Sequence, residues 1–190
     1  MRLKPYNQGD LNGLCGMYAV VNALHLLFEA GDVPDFGEDV FRATARAIPQ
    51  DAYPAVLWNG MTIDKVVDLA KRAAVRVKRR IDVRIAVQQP FGHDDFPSAE
   101  AYVRELSAIT RSGYASAIVG VNWGKARGGG GHWSVFRGVR NGRVHFFDAV
   151  ERNLPLDRLR VRGERGNRFC TDETIILRIT EIHGEKVTIP

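Results

Sequence analysis

Apolar residues recur at helical spacing from position 15 to about 29, where Met17, Val20, Val21, Leu24 and Leu27 line one side and Gly31 follows as a stop. A second helix is expected over 38–47, ending near Pro49, and a third from Thr62, placed to act as its N-cap, to about Ala74. The period then changes. Val75, Val77, Ile81, Val83, Ile85 and Val87 mostly alternate with polar residues, which predicts a strand. Pro97-Ser98-Ala99-Glu100 opens a further helix carrying Ala101, Val103, Leu106 and Ile109, and beyond Gly113 strand character dominates. Residues 117–121 read as a buried strand, 132–139 and 143–150 flank Arg140-Asn141-Gly142, and 174–182 form a last alternating strand. Asn-Gly between two such runs is a strong hairpin signal, because both central residues of the favoured turn need positive φ. Helices first and antiparallel strands afterwards predict an α+β fold, and no repeat or linker divides the 190 residues, so one domain spanning 1–190 is expected.

Composition narrows the classes. Hydrophobic residues make up 45% and charged residues 26% of the chain, enough for an ordinary core. No apolar run approaches the roughly 20 residues that cross a bilayer, and the N-terminus has a basic start with no apolar stretch behind it, so neither a membrane span nor a secretory signal is expected. Two cysteines, Cys15 and Cys170, are too few for a disulfide scaffold; two free thiols in a reducing, cytoplasmic setting is the expectation. Net charge is +5, but the basic residues are scattered and no nucleic-acid motif accompanies them. The densest cluster, Lys71-Arg72 and Arg76-Val77-Lys78-Arg79-Arg80, reads as a solvated basic face running from the end of a helix into a strand.

Candidate chemistry begins where the polar, glycine-containing loop Asn7-Gln8-Gly9-Asp10-Leu11-Asn12-Gly13-Leu14 enters the first helix at Cys15. A free cysteine is most often a small buried hydrophobe. At a helix start, however, free backbone N–H groups and the positive end of the dipole favour thiolate, and the same N–H groups can hold an oxyanion. Gly13 and Gly16 would let a substrate backbone approach the sulfur. His132 begins a strand directly after a four-glycine loop, within Gly131-His132-Trp133-Ser134-Val135, and Asp148 ends the next strand of the expected hairpin. The two become near cross-strand neighbours, sharing a face if the register allows, so that the carboxylate fixes the imidazole tautomer. Trp123 and Trp133 are candidates for lining a cleft, and the loop ending at Gly131 for closing over substrate. His93-Asp94-Asp95 has no further ligands at metal spacing, and His25, His145, His183 and Cys170 have no partner readable from the sequence; no metal and no cofactor are expected.

The order Cys…His…Asp, with the cysteine at a helix start and the other two across a hairpin, resembles the papain-like cysteine peptidase superfamily. The match is to its divergent branch of bacteriocin-leader peptidases and Josephin-type deubiquitinases. Residues 8–24 look like the Q…C…A…NAL helix of those proteins, and Gly131-His132-Trp133-Ser134-Val135 looks like their histidine strand. The resemblance implies a nucleophile helix packed on a C-terminal antiparallel sheet. It implies Cys15 as nucleophile, His132 as general base then acid, Asp148 as orienting acid and Gln8 as oxyanion donor. Gln8 lies seven positions before the cysteine, where the family places its glutamine five or six before, so Asn12 and Asn7 compete for that role. A peptidase or isopeptidase acting through a thioester on a peptide or protein substrate, such as a leader peptide or ubiquitin-like tail, is the implied activity. An acyltransferase or transglutaminase-like enzyme with the same triad, or a binding module without turnover, are the alternatives.

Overall fold

The computed structural model describes residues 13–28, 36–122, 131–148, 153–161 and 167–188. Their architecture is α+β. The elements are α1 (Cys15–Leu27), α2 (Phe36–Ala47), α3 (Tyr53–Asn59), α4 (Ile63–Ile81), β1 (Val83–Gln88), α5 (Ala99–Thr110), β2 (Ala115–Asn122), β3 (Gly131–Arg140), β4 (Arg143–Phe146), β5 (Asn153–Pro155), β6 (Leu159–Arg160), β7 (Asn167–Ile182) and β8 (Glu185–Lys186). One sheet runs in the order β1-β7-β2-β3-β4-β5, with β6 and β8 also pairing β7. Every pairing is antiparallel except that of β6 with β7.

The sheet separates two apolar layers. On one face α1, α2 and α4 bury Met17, Val20, Leu24, Val66, Leu69 and Val77 against Ile118, Trp133, Val135, Phe147 and Ile175. On the other, α5 sets Tyr102, Val103 and Leu106 against Val119, Val121, Phe136, Phe146 and Phe169. Strand β2 lies between both layers and is buried along nearly its whole length, as its Ala-Ile-Val composition requires. No helix among the described residues is long and apolar enough to cross a membrane.

One expected boundary is overturned. The strand read from Val75 onward begins only at Val83, because α4 continues to Ile81. Its buried positions Val66, Leu69, Ala70, Ala73, Ala74 and Val77 keep the spacing of one helical face. Val75, on the opposite side, is 51% exposed, so its apparent alternation with Val77 is incidental. Asp82, in the left-handed conformation at φ 51°, ends the helix and donates its N–H to the Lys78 carbonyl. The basic cluster therefore lies within the helix; Lys78, Arg79 and Arg80 occupy its last turn, where cations oppose the negative dipole end.

Other expectations agree closely. The helix expected to open at Pro97-Ser98-Ala99-Glu100 is α5, which Ser98 caps by accepting from the Ala101 N–H at 3.2 Å. Thr62 has the extended N-cap conformation, without a side-chain bond. The Asn141-Gly142 turn has φ of 51° and 67°, the positive pair that a tight hairpin demands. Expected strand 143–150 is shorter, ending at Phe146, and 174–182 is the second half of the longer β7.

Candidate active site

Cys15 is the first residue of α1. Leu14 at the N-cap offers no side-chain cap and no acidic residue lies in the first turn, so the helix places no carboxylate of its own near the positive end that holds the sulfur. The approach to this turn is fixed by contacts with α3 and α4. The Gly13 N–H donates to the Leu57 carbonyl at 2.7 Å, and a Cβ on Gly13 would lie 2.6 Å from the Gly60 nitrogen. A Cβ on Gly16 would lie 2.8 Å from Val66 Cγ2 and 3.1 Å from Met61 Sδ. These glycines permit a close approach to the chain's own residues. Cys15 itself is 8% exposed.

His132 stands one residue into β3, opposite Val121 of β2. Asp148 follows β4. What brings them together is a bulge. Counting back from the Asn141-Gly142 turn, Arg140 pairs Arg143, Val139 pairs Val144 and Gly138 pairs His145, but Phe136 pairs Phe146. Arg137 is the extra residue, with its guanidinium 5.3 Å from the centre of the Phe147 ring, and Gly138 supplies a φ of 127°. Without the bulge, the same turn would set Asp148 opposite Val135, on the face away from His132. With it, Asp148 falls opposite Ser134, on the face that His132 shares by alternation. The Phe147 N–H donating to the Val135 carbonyl at 2.8 Å continues that shifted register.

The resulting contacts are short. His132 Nε2 lies 2.6 Å from Asp148 Oδ2. Ser134 Oγ donates to the same carboxylate oxygen at 2.6 Å. His132 is also hydrogen-bonded to Cys15, and since Nε2 faces Asp148, Nδ1 is the nitrogen left for the sulfur. Burial works against charge on the ring, but the hydrogen bonds with Asp148 and Cys15, reinforced by their charges, outweigh it and push the His132 pKa up to about 9. At neutral pH the ring is therefore an imidazolium between a carboxylate and a sulfur. Such a chain can hold a proton on the ring beside the sulfur and pass it to a neighbouring atom.

The remaining candidate residues sort themselves by position. Gly131 is exposed at the start of β3, with open space where a Cβ would stand. Trp133 is 6% exposed; it points into the α1 side of the core and its indole N–H donates to the Met61 carbonyl at 2.9 Å. That makes it a support behind the histidine, where the sequence suggested a cleft wall. Gln8, Asn7, Asn12 and Trp123, and the loop residues 127–130, lie outside the described residues.

His25 is partly buried on α1, its ring edge-on to Phe147 at 5.9 Å, and burial lowers its pKa. His93 Nδ1 is 3.6 Å from Asp172 Oδ1 in an exposed pair, and no three His, Cys, Asp or Glu side chains among the described residues group as a metal site would need. Both cysteines are free thiols; burial, together with the charge of Glu173, pushes the Cys170 thiol up to about 11. Among the described residues, Ser134 joins the hydrogen-bonded group of His132 and Asp148 without having been a candidate from the sequence. Its signal was position alone: two residues after His132 in a strand, hence on the same face.

No protein-family model and no curated protein matches the chain.

Proposed function

We propose that the protein is a papain-like cysteine peptidase or isopeptidase, with Cys15 as nucleophile, His132 as proton carrier and Asp148 as the group that orients and stabilises the imidazolium. The observation that carries this reading is the continuous hydrogen-bonded chain from Cys15 through His132 to Asp148, assembled from the start of α1, the start of β3 and the segment that follows β4. In the proposed reaction, the proton shared by Cys15 and His132 starts on the imidazolium, and Cys15 Sγ attacks the carbonyl carbon of the scissile amide as the thiolate. The tetrahedral oxyanion sits beside the N–H groups of the first turn of α1, in which Leu14 supplies no side-chain cap. Collapse breaks the C–N bond, and His132 passes the proton to the leaving amine. The thioester left on Cys15 is then attacked by water, whose proton the now neutral His132 takes and keeps, so that the thiolate leaves beside an imidazolium as the carboxylic acid departs.

A peptide or protein with a flexible, extended segment is the proposed substrate, because a folded segment would not reach into a residue as buried as Cys15, which is 8% exposed. The test is release of amine and carboxylate from a panel of glycine-containing peptides and isopeptides, with wild type and Cys15→Ala compared at equal folding. Loss of turnover by several orders of magnitude in Cys15→Ala supports the reading; equal turnover ends it. Incorporation of an added amine into the acyl product, with no hydrolysis, would instead identify an acyltransferase.

A further inference from the structure

Ser134 is 1% exposed, lies in the middle of β3, and uses its hydroxyl on a carboxylate oxygen that already accepts from an imidazole. Two donors therefore converge on Asp148 Oδ2, each at 2.6 Å. A carboxylate bonded by one donor can turn about its terminal torsion, which is broad and weakly restrained. One bonded by two donors from the same strand face, at successive positions of that face, has a single orientation that satisfies both. The register adds to this. Ser134 is the residue directly across from Asp148 when the pairing of Phe136 with Phe146 is continued, while His132 is the diagonal neighbour, farther from the Asp148 backbone. The serine is thus the nearer anchor, and the histidine bond depends on where that anchor holds the carboxylate.

From this geometry we infer that Ser134 is a positioning residue of the active site: its hydroxyl fixes the Asp148 carboxylate so that Oδ2 faces His132 Nε2. The inference rests on the reading of Cys15, His132 and Asp148 as a catalytic chain, and it extends that chain to a fourth side chain. A buried hydroxyl that merely satisfied itself would influence stability alone. A positioning hydroxyl also sets the basicity of His132 and the strength of the Nε2–H bond to Asp148.

The experiment is a pH titration of ¹⁵N-histidine-labelled protein by NMR, with turnover measured in parallel, for wild type, Ser134→Ala and Ser134→Thr. In Ser134→Ala the His132 pKa is expected to fall by about one unit, corresponding to loss of part of one charge-assisted hydrogen bond. The far-downfield Nε2–H resonance moves upfield, and kcat/KM drops about tenfold. Ser134→Thr, which keeps the hydroxyl on a residue suited to a strand, restores all three. An unchanged pKa and Nε2–H resonance in Ser134→Ala would overturn the inference even if stability fell. A raised pKa would overturn it too, since the hydroxyl would then only be competing for charge on Oδ2. If Ser134→Ala does not fold, Ser134→Cys, of similar size and a weak donor, is read by the same criteria. Should the wild type turn over no amide, the peptidase reading fails, and the titration alone still decides whether Ser134 positions the Asp148–His132 pair.

Discussion

Asp148 shares a sheet face with His132 because β3 carries one residue more than β4 between the hairpin turn and the Phe136–Phe146 pair. The side-chain period of a strand is two, so a slip of one residue exchanges the faces. The facing of Asp148 and His132 is therefore set by Arg137 and Gly138, neither of them a member of the pair.

Gly138→Val is the substitution that tests this. Open space surrounds the position, so the cost comes from the backbone φ of 127° and not from a clash. Destabilisation of about 1–3 kcal/mol by denaturant unfolding is expected. Turnover should fall further than the lost folded fraction explains, because a hairpin that removes the bulge turns Asp148 to the other face.

The pH dependence of stability follows from His132. Its folded pKa is raised to about 9 from an ordinary value of 6.5, so the stabilisation it contributes is fully present below pH 6.5 and is lost as pH rises through about 9. Thermal unfolding of the wild type should show a falling limb across that window. In Asp148→Asn, which removes the carboxylate charge, the limb should flatten and move toward lower pH. An unaltered limb in that variant would assign the titration to another group.

Gly13→Ala distinguishes a structural glycine from a substrate-facing one. The added Cβ would meet the Gly60 nitrogen at 2.6 Å and the Val56 carbonyl, both of them backbone and unable to swing aside. Overpacking of that kind costs about 1–3 kcal/mol, so a lower Tm in the absence of substrate is the expected result. A change in KM at unchanged Tm would return Gly13 to the cleft.

The extent of α4 is open to a paired measurement. Val77, fully buried, should cost about 2 kcal/mol when replaced by alanine. Val75, at 51% exposure, should change stability by no more than about 0.5 kcal/mol. Comparable losses at both positions would favour the alternating strand that the sequence suggested.

The α1 periodicity, the helix opening at Pro97-Ser98-Ala99-Glu100 and the Asn141-Gly142 turn are local signals, and each element formed where its local chemistry placed it. The junction of loop and helix at Cys15 was legible for the same reason. The continuation of α4 through Val75 and Val77 was hidden because a β-branched run with charged neighbours satisfies both a period of two and a helical face; tertiary burial of Val77 decided it. The bulge was hidden because a glycine inside a strand pattern leaves the register unspecified, and only pairing with a particular partner counts the extra residue. Ser134 was missed as a consequence, since its bond to Asp148 exists in the bulged register alone. Gly13 and Gly16 signal close approach, and the fold sets Gly60 and Val66 beside them; sequence shows that room is needed without showing what fills it.

The central claim, that Cys15 is an activated nucleophile served by His132, is tested most directly by covalent labelling. Intact protein would be treated at neutral pH with a peptide vinyl sulfone and the adduct located by peptide mapping. Cys170, whose thiol is pushed up to about 11, is the built-in control within the same chain. A single adduct on Cys15, abolished in His132→Ala while Cys170 stays unmodified, is the predicted result. Labelling of Cys15 at the same rate in His132→Ala, or modification of Cys170 in preference to Cys15, would contradict it.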